Sequence, residues 1–247
     1  MVLEEEMKNI TAILVKELYT YFVSPIAYFV FFIFMSVSGF LFSMILLSFS
    51  AYEESSTAVM QVLFNNMSVI LLFFTPVLTM KLFAEERKLG TIELLLTSPI
   101  KDTEVVLGKF LASWVLLFII FLLTLLFPLL ITPFGNLDIG LIVSGYLGLL
   151  LLGSSFLSLG VMISSMSKNQ IVAALTTFGL LLSLWVIGFL STRGGNLVDF
   201  LSYLSLIEHF EDFSRGIVSL KHILFYLSFT TVCLFGTVKS VESSKWR

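Results

Sequence analysis

The chain has 247 residues, 57% of them hydrophobic and 13% charged, with a formal net charge of −3 and a mean hydropathy of +1.02. A water-soluble domain carries roughly 25% charged residues, so a soluble globular class is excluded and an integral membrane protein is indicated. No basic stripe is present to neutralise phosphates, which excludes a nucleic-acid partner, and the lone Cys233 excludes an intrachain disulfide.

The N-terminal arm opens on Glu4, Glu5 and Glu6, unlike the basic start of a cleaved signal peptide. Ile10, Ile13, Leu14, Leu18, Tyr21 and Phe22 then recur at helical spacing, flanked by Lys8, Lys16 and Glu17. This pattern predicts an amphipathic helix over 4–24 lying in the membrane interface, the alternative being a plain extension of the first span. Ser24-Pro25 breaks its direction, because proline restricts the residue before it and cannot continue the hydrogen-bond ladder.

Windows without ionised residues follow at 18–52, 55–80, 110–137, 139–167, 169–192 and 222–238. A helix needs about 20 residues to cross the hydrocarbon core, which predicts spans near 26–49, 57–80, 110–133, 140–164, 170–191 and 222–239. The runs do not alternate in polarity, so barrel strands are excluded. Six spans leave both termini on one side. That side gathers Lys8, Lys16, Lys81, Arg87, Lys88, Lys101, Lys109, Lys168, Lys239, Lys245 and Arg247, against Arg193, Arg215 and Lys221 on the other. The bias predicts cytoplasmic termini. Small pairs at four-residue spacing, Gly39 and Ser43, Ser154 and Ser158, Gly160 and Ser164, read as helix-packing positions.

The first five windows contain no Asp, Glu, Lys, Arg or His, which argues against an ion-coupled carrier. Gly148 to Ser155 has the spacing of a phosphate loop but lacks its lysine, so ATP hydrolysis by this chain is not expected. No metal site is expected either. Glu208, Glu211 and Asp212, near His209, read better as a solvated helix face, and Phe210, Phe213, Ile217 and Leu220 as a short external amphipathic segment.

Between spans two and three lies a polar island, 81–109, in which five bases balance five acids. Lys81 to Lys88 extend span two, and Gly90 favours a break. Thr91 can cap a new short helix with Glu93 in its first turn, Pro99 ends it, and Asp102 can cap the helix leading into span three. Ile92, Leu95 and Leu96 form one apolar side of the short helix; a solvated connector is the alternative, but it would not need these residues and Leu94 in a row, and they must face the membrane, the protein or a groove on a partner.

The stretch Phe83-x-Glu85-Glu86-Arg87-Lys88-x-Gly90-Thr91-Ile92-Glu93-Leu94-Leu95-Leu96-Thr97-Ser98-Pro99-Ile100 resembles the cytoplasmic signature of ABC-2 type transporter permeases. Lys16-Glu17-Leu18 through Tyr21-Phe22-x-Ser24-Pro25-Ile26-Ala27-Tyr28 is similar to their N-terminal segment. Ser164-Ser165-Met166-Ser167-Lys168-Asn169-Gln170 and His209-Phe210-x-x-Phe213-x-Arg215-Gly216 resemble the branch that contains gliding-motility-associated and nitrous-oxide-reductase-associated permeases. The resemblance implies one all-α transmembrane domain over 1–247, with an interfacial helix, six spans, a cytoplasmic coupling helix and the external segment. It implies a subunit of a bacterial inner-membrane exporter that pairs with a second permease subunit among the membrane lipids. A separate ABC ATP-binding subunit would bind ATP and Mg and drive it. Glu85, Glu86, Arg87, Lys88, Thr91 and Glu93 would make the ATPase-coupling contact, with Lys168 and Asn169 as a second cytoplasmic contact. The other readings are a membrane anchor that recruits a partner without transport, and an ATP-independent carrier or channel.

Overall fold

The computed structural model describes residues 2–50, 56–91, 100–132, 138–190 and 205–244. Ten helices and no strand are found among them: α1 (Val2–Val23), α2 (Pro25–Ser50), α3 (Ser56–Thr79), α4 (Ala84–Leu89), α5 (Asp102–Thr124), α6 (Leu126–Ile131), α7 (Ile139–Met166), α8 (Gln170–Leu190), α9 (Glu208–Ser214) and α10 (Leu220–Ser244). Six segments are long and apolar enough to cross a membrane: Pro25–Ser48, Ser56–Leu89, Asp102–Ile131, Ile139–Met166, Gln170–Gly188 and Leu220–Ser244.

Local chemistry sets the boundaries. Ser24 bends the chain between α1 and α2, and Pro25 takes the first helical position, where its missing N–H costs nothing. The Ser24 hydroxyl accepts the Ile26 N–H at 3.4 Å. Span three is divided where the sequence predicts one continuous helix. Pro128 cannot donate back to Thr124, so the chain tightens at Leu125, whose N–H bonds Leu122 O at 3.3 Å, before α6 resumes. Asp102 is the first residue of α5 rather than its cap. The cap position falls to Lys101, whose N–H is accepted by the Glu104 carboxylate at 3.3 Å.

α7 is the centre of the bundle and touches α3, α4, α5, α8, α9 and α10. Glycine lets these neighbours approach. A Cβ on Gly160 would lie 2.2 Å from Thr79 Oγ1 of α3, and one on Gly148 would lie 2.5 Å from Phe213 Cβ of α9. Gly148 and Gly153, which mimic a phosphate loop in sequence, are thus packing positions within α7. Ser154 accepts the Trp114 indole N–H at 2.9 Å, joining α7 to α5.

The external segment differs from its predicted stripe. Phe210 and Phe213 are fully buried in the bundle, whereas Ile217 and Leu220 are exposed. Gly216, at φ 88°, ends the turn after α9, so one helical face cannot run through all four.

The α3–α7 contact yields a prediction. Gly160→Ala forces Thr79 and its backbone away and should destabilise the fold by about 1–3 kcal/mol, read as a lower thermal unfolding midpoint of the detergent-solubilised chain. Gly179→Ala meets open space and should leave that midpoint at or above the starting value.

Candidate coupling site at the terminus end

The polar island, α1, the end of α10 and the α7–α8 turn meet at one end of the bundle. α4 is organised there by its neighbours. No side chain of its own caps its start. Instead the Ser164 hydroxyl of α7 accepts the Phe83 and Ala84 N–H groups, each at 3.2 Å, and donates to Met80 O at 3.2 Å. That one hydroxyl replaces the helical partners which the first N–H groups of a helix lack. Its C-terminus closes at Gly90, φ 72°, with Gly90 N–H to Arg87 O at 3.4 Å and Thr91 N–H to Glu86 O at 3.0 Å. Only glycine takes this left-handed position without strain, so the break expected there is real.

At the centre lies Lys109, 1% exposed. Its ammonium donates to Glu17 Oε1 of α1 at 2.8 Å, to Glu86 Oε1 of α4 at 2.9 Å and to Leu82 O at 2.7 Å, and sits 5.2 Å from the Phe83 ring centroid. All three of its donors are used. Lys16 joins the same two carboxylate oxygens from the solvent side, at 3.2 Å to Glu17 and 3.1 Å to Glu86. α1 is further bound to the island by Asn9 to Glu104 at 3.0 Å and by the Lys101–Glu6 ion pair. The Tyr21 hydroxyl donates to Leu78 O of α3 at 2.6 Å. A cavity of about 800 Å³ between α1 and α4 is lined by Lys16, Glu17, Thr20, Lys81, Glu85 and Glu86, among others.

The residues singled out in sequence therefore divide. Glu86 turns inward to Lys109, and Arg87 inward to Ser244 at the end of α10. Glu85 lines the cavity. Lys88 and Thr91 are exposed, as are Lys168 and Asn169 in the α7–α8 turn. The Asn169 carboxamide oxygen accepts the Ile171 N–H at 2.9 Å and so caps α8. Glu93, with the rest of 92–99, lies outside the described residues.

The buried pair of the network, Lys109 and Glu17, was missed by sequence reasoning. Glu17 does not flank the apolar face of α1. It lies between Ile13 and Tyr21 at four-residue spacing, and all three are buried. The signal was faint: one acid inside the arc of a helical stripe, and one base at the edge of a charge-free window.

Electrostatics follow from this packing. Burial pushes the Glu17 carboxyl up, but Lys109 and then Lys16 outweigh it and hold the carboxyl below its ordinary range. Burial pulls Lys16 down, and Glu17 and Glu86 outweigh it, so its ammonium is raised.

Lys109→Met leaves two carboxylates facing each other and should cost about 3–5 kcal/mol, whereas Lys16→Met removes an exposed partner and should cost about 1 kcal/mol or less. Unfolding midpoints of the two variants check the difference. Because Glu17 is held lower in the folded chain than in the unfolded one, its contribution is full above the ordinary carboxylate range and is lost only as pH falls through the folded value. Amide exchange in α1, corrected for its intrinsic pH dependence, should stay slow through mild acid and rise below that range.

The family model for the ABC-2 family transporter protein matches residues 47–245, which takes in the island, five of the six spans and the end of the first. No curated protein matches the chain. The match covers most of the sequence and joins the six-span helical fold with its packed N-terminal helix and island. The chain belongs to the ABC-2 family of transporter proteins, as a multi-pass membrane component.

Proposed function

We propose that this chain is the permease subunit of an ATP-driven exporter in a bacterial cytoplasmic membrane, with both termini in the cytoplasm. A separate ATP-binding subunit supplies the energy, binding ATP and Mg, and a second permease subunit completes the pathway. Family membership implies association with an ATP-binding subunit in general. The basic residues cluster at the terminus end, which supports the cytoplasmic placement.

The observation that carries the reading is the Glu17–Lys109–Glu86 link. A force on the island at α4 reaches the start of α5 and α1 through one buried ammonium, and α7 through Ser164. In this reading the exposed Lys88 and Thr91, with Glu93, face the ATPase, and Lys168 and Asn169 add a second contact. Glu85 lines the cavity between α1 and α4. Glu86 and Arg87 transmit rather than dock. Packed cores and buried ion networks pass on displacement because they have discrete arrangements.

The two roles separate experimentally when the chain is co-expressed with its ATP-binding subunit and purified through the permease. Lys88→Glu should cut recovery of the ATP-binding subunit about tenfold or more. Glu86→Gln should retain that subunit but abolish the response of its ATP hydrolysis to the permease. Full recovery with Lys88→Glu, together with an unchanged response for Glu86→Gln, would refute the coupling assignment.

A further inference from the structure

The cavity between α1 and α4 holds more charge than the lysine network uses. Its volume, about 800 Å³, falls within the range of roughly 300–1,000 Å³ typical of small-molecule sites. Glu17, Tyr21, Leu82 and Lys109 form a buried floor, and Lys16, Thr20, Leu89 and Thr91 an exposed rim. Lys16, Glu17, Glu86 and Lys109 pair among themselves. Two further charged residues line the same space, Lys81 and Glu85, both half-buried.

Neither has a hydrogen bond or ion pair among the described residues, with the other or with any neighbour. The reason is local. On a continuous helix a spacing of four would let them pair. Here the chain turns between α3 and α4, where Leu82 N–H bonds Thr79 O at 3.2 Å, and Glu85 sits in the first turn of a new helix. A half-buried charge without a partner loses hydration and gains nothing in return. Because one ammonium and one carboxylate are left in one cavity, a ligand of a single sign would satisfy only one of them. A zwitterion satisfies both.

The walls say which kind of zwitterion. They come from the places where segments enter the membrane: Ser24 and Ile26 at the bend from α1 into span one, Lys81 and Leu82 near the end of span two, and Ile100 just before span three. This is the depth of lipid headgroups. Tyr21, Ile26, Leu82, Leu89 and Ile100 give the cavity apolar surface beside its charges, which suits a molecule with a charged head and an apolar body. A phosphate offers oxygens to the Lys81 ammonium, and a primary ammonium offers three N–H donors to the Glu85 carboxylate.

We propose that the cavity binds the headgroup of one phospholipid bearing a phosphate and a primary ammonium, with the phosphate on Lys81 and the ammonium on Glu85. The site concerns this chain and its lipids and does not rest on ATP coupling.

The test places the full chain in nanodiscs of equal parts phosphatidylethanolamine, phosphatidylcholine and phosphatidylglycerol, then extracts it in mild detergent. Native mass spectrometry counts the retained lipid. Phosphatidylethanolamine should be retained at least about tenfold above the other two. Phosphatidylcholine has no N–H for Glu85, and phosphatidylglycerol has no cation. Glu85→Gln should narrow that preference several-fold. Lys81→Met should lower retention of all three lipids, and Lys81→Arg should restore it. Lys239→Met, on α10 away from the cavity, should change nothing. In the unmodified chain, the Lys81 amine should be shielded from acylation in phosphatidylethanolamine discs and reactive in phosphatidylcholine discs, a reading that stands even if a variant does not fold. Equal retention of the three lipids, a preference untouched by Glu85→Gln, or Lys81 equally reactive in both discs would overturn the site. Soluble phosphoethanolamine binding as tightly as the lipid would overturn its assignment to a lipid.

Discussion

One buried ammonium sets the arrangement of the terminus end. Taking Lys109 out of water costs on the order of several kcal/mol, and that cost is met only where acceptors of the right number and geometry converge. Glu17, Glu86 and the Leu82 carbonyl supply them from two segments distant in sequence from α5. The position of α1 against α5 is therefore more than a matter of apolar contact. Ile13 packs where Gly108 leaves no Cβ, and Glu17, one turn on, must reach Lys109 or remain buried without its cation. A charge that is expensive to bury specifies a register in a way that leucine and phenylalanine cannot.

A second constraint acts along α7. The helix has no ionisable group other than Tyr146, and it is joined to its neighbours by close approach and hydroxyl hydrogen bonds. Gly160 admits Thr79, Gly148 admits Phe213, Ser154 meets Trp114 and Ser164 starts α4. In a lipid surround, apolar burial gives little drive for helices to associate, so small residues and hydrogen-bonded hydroxyls carry more of the packing. The island's elbow is thus fastened on one side to the central helix α7 and on the other to α1 and α5 through a charge network. This is the physical basis for regarding the elbow as a point where force enters the bundle.

The two ends of the bundle solve polar burial differently. The terminus end neutralises whole charges against each other. The opposite end sets two imidazoles against each other and one of them against a carboxylate. Between them, the described stretches of the spans hold hydroxyls, amides, the Trp114 and Trp185 indoles and the Cys233 thiol as polar side chains, which keeps the membrane interior electrically quiet.

Much of this was legible in the chain itself. Runs without charge are long enough to span a bilayer and too apolar for anything else, so the six spans follow from solvation alone. Pro25 and Gly90 mark their bends because their backbone limits are local properties. Partnership could not be read in the same way. A helical period says which face Glu17 occupies but not that Lys109 waits opposite; Glu86 and Arg87, expected to contact a partner subunit, turn to Lys109 and Ser244, and Asp212, expected on a solvated face, turns to His222. The division of span three at Leu125 depended on Pro128, and that proline was passed over amid a long apolar run. The sequence by itself determined the class, the number of crossings and the family resemblance, because hydropathy and turn chemistry act over a few residues. Only the tertiary structure decided which charges are buried and with whom, because ion pairs and hydrogen bonds form in three dimensions between segments that sequence spacing leaves unrelated.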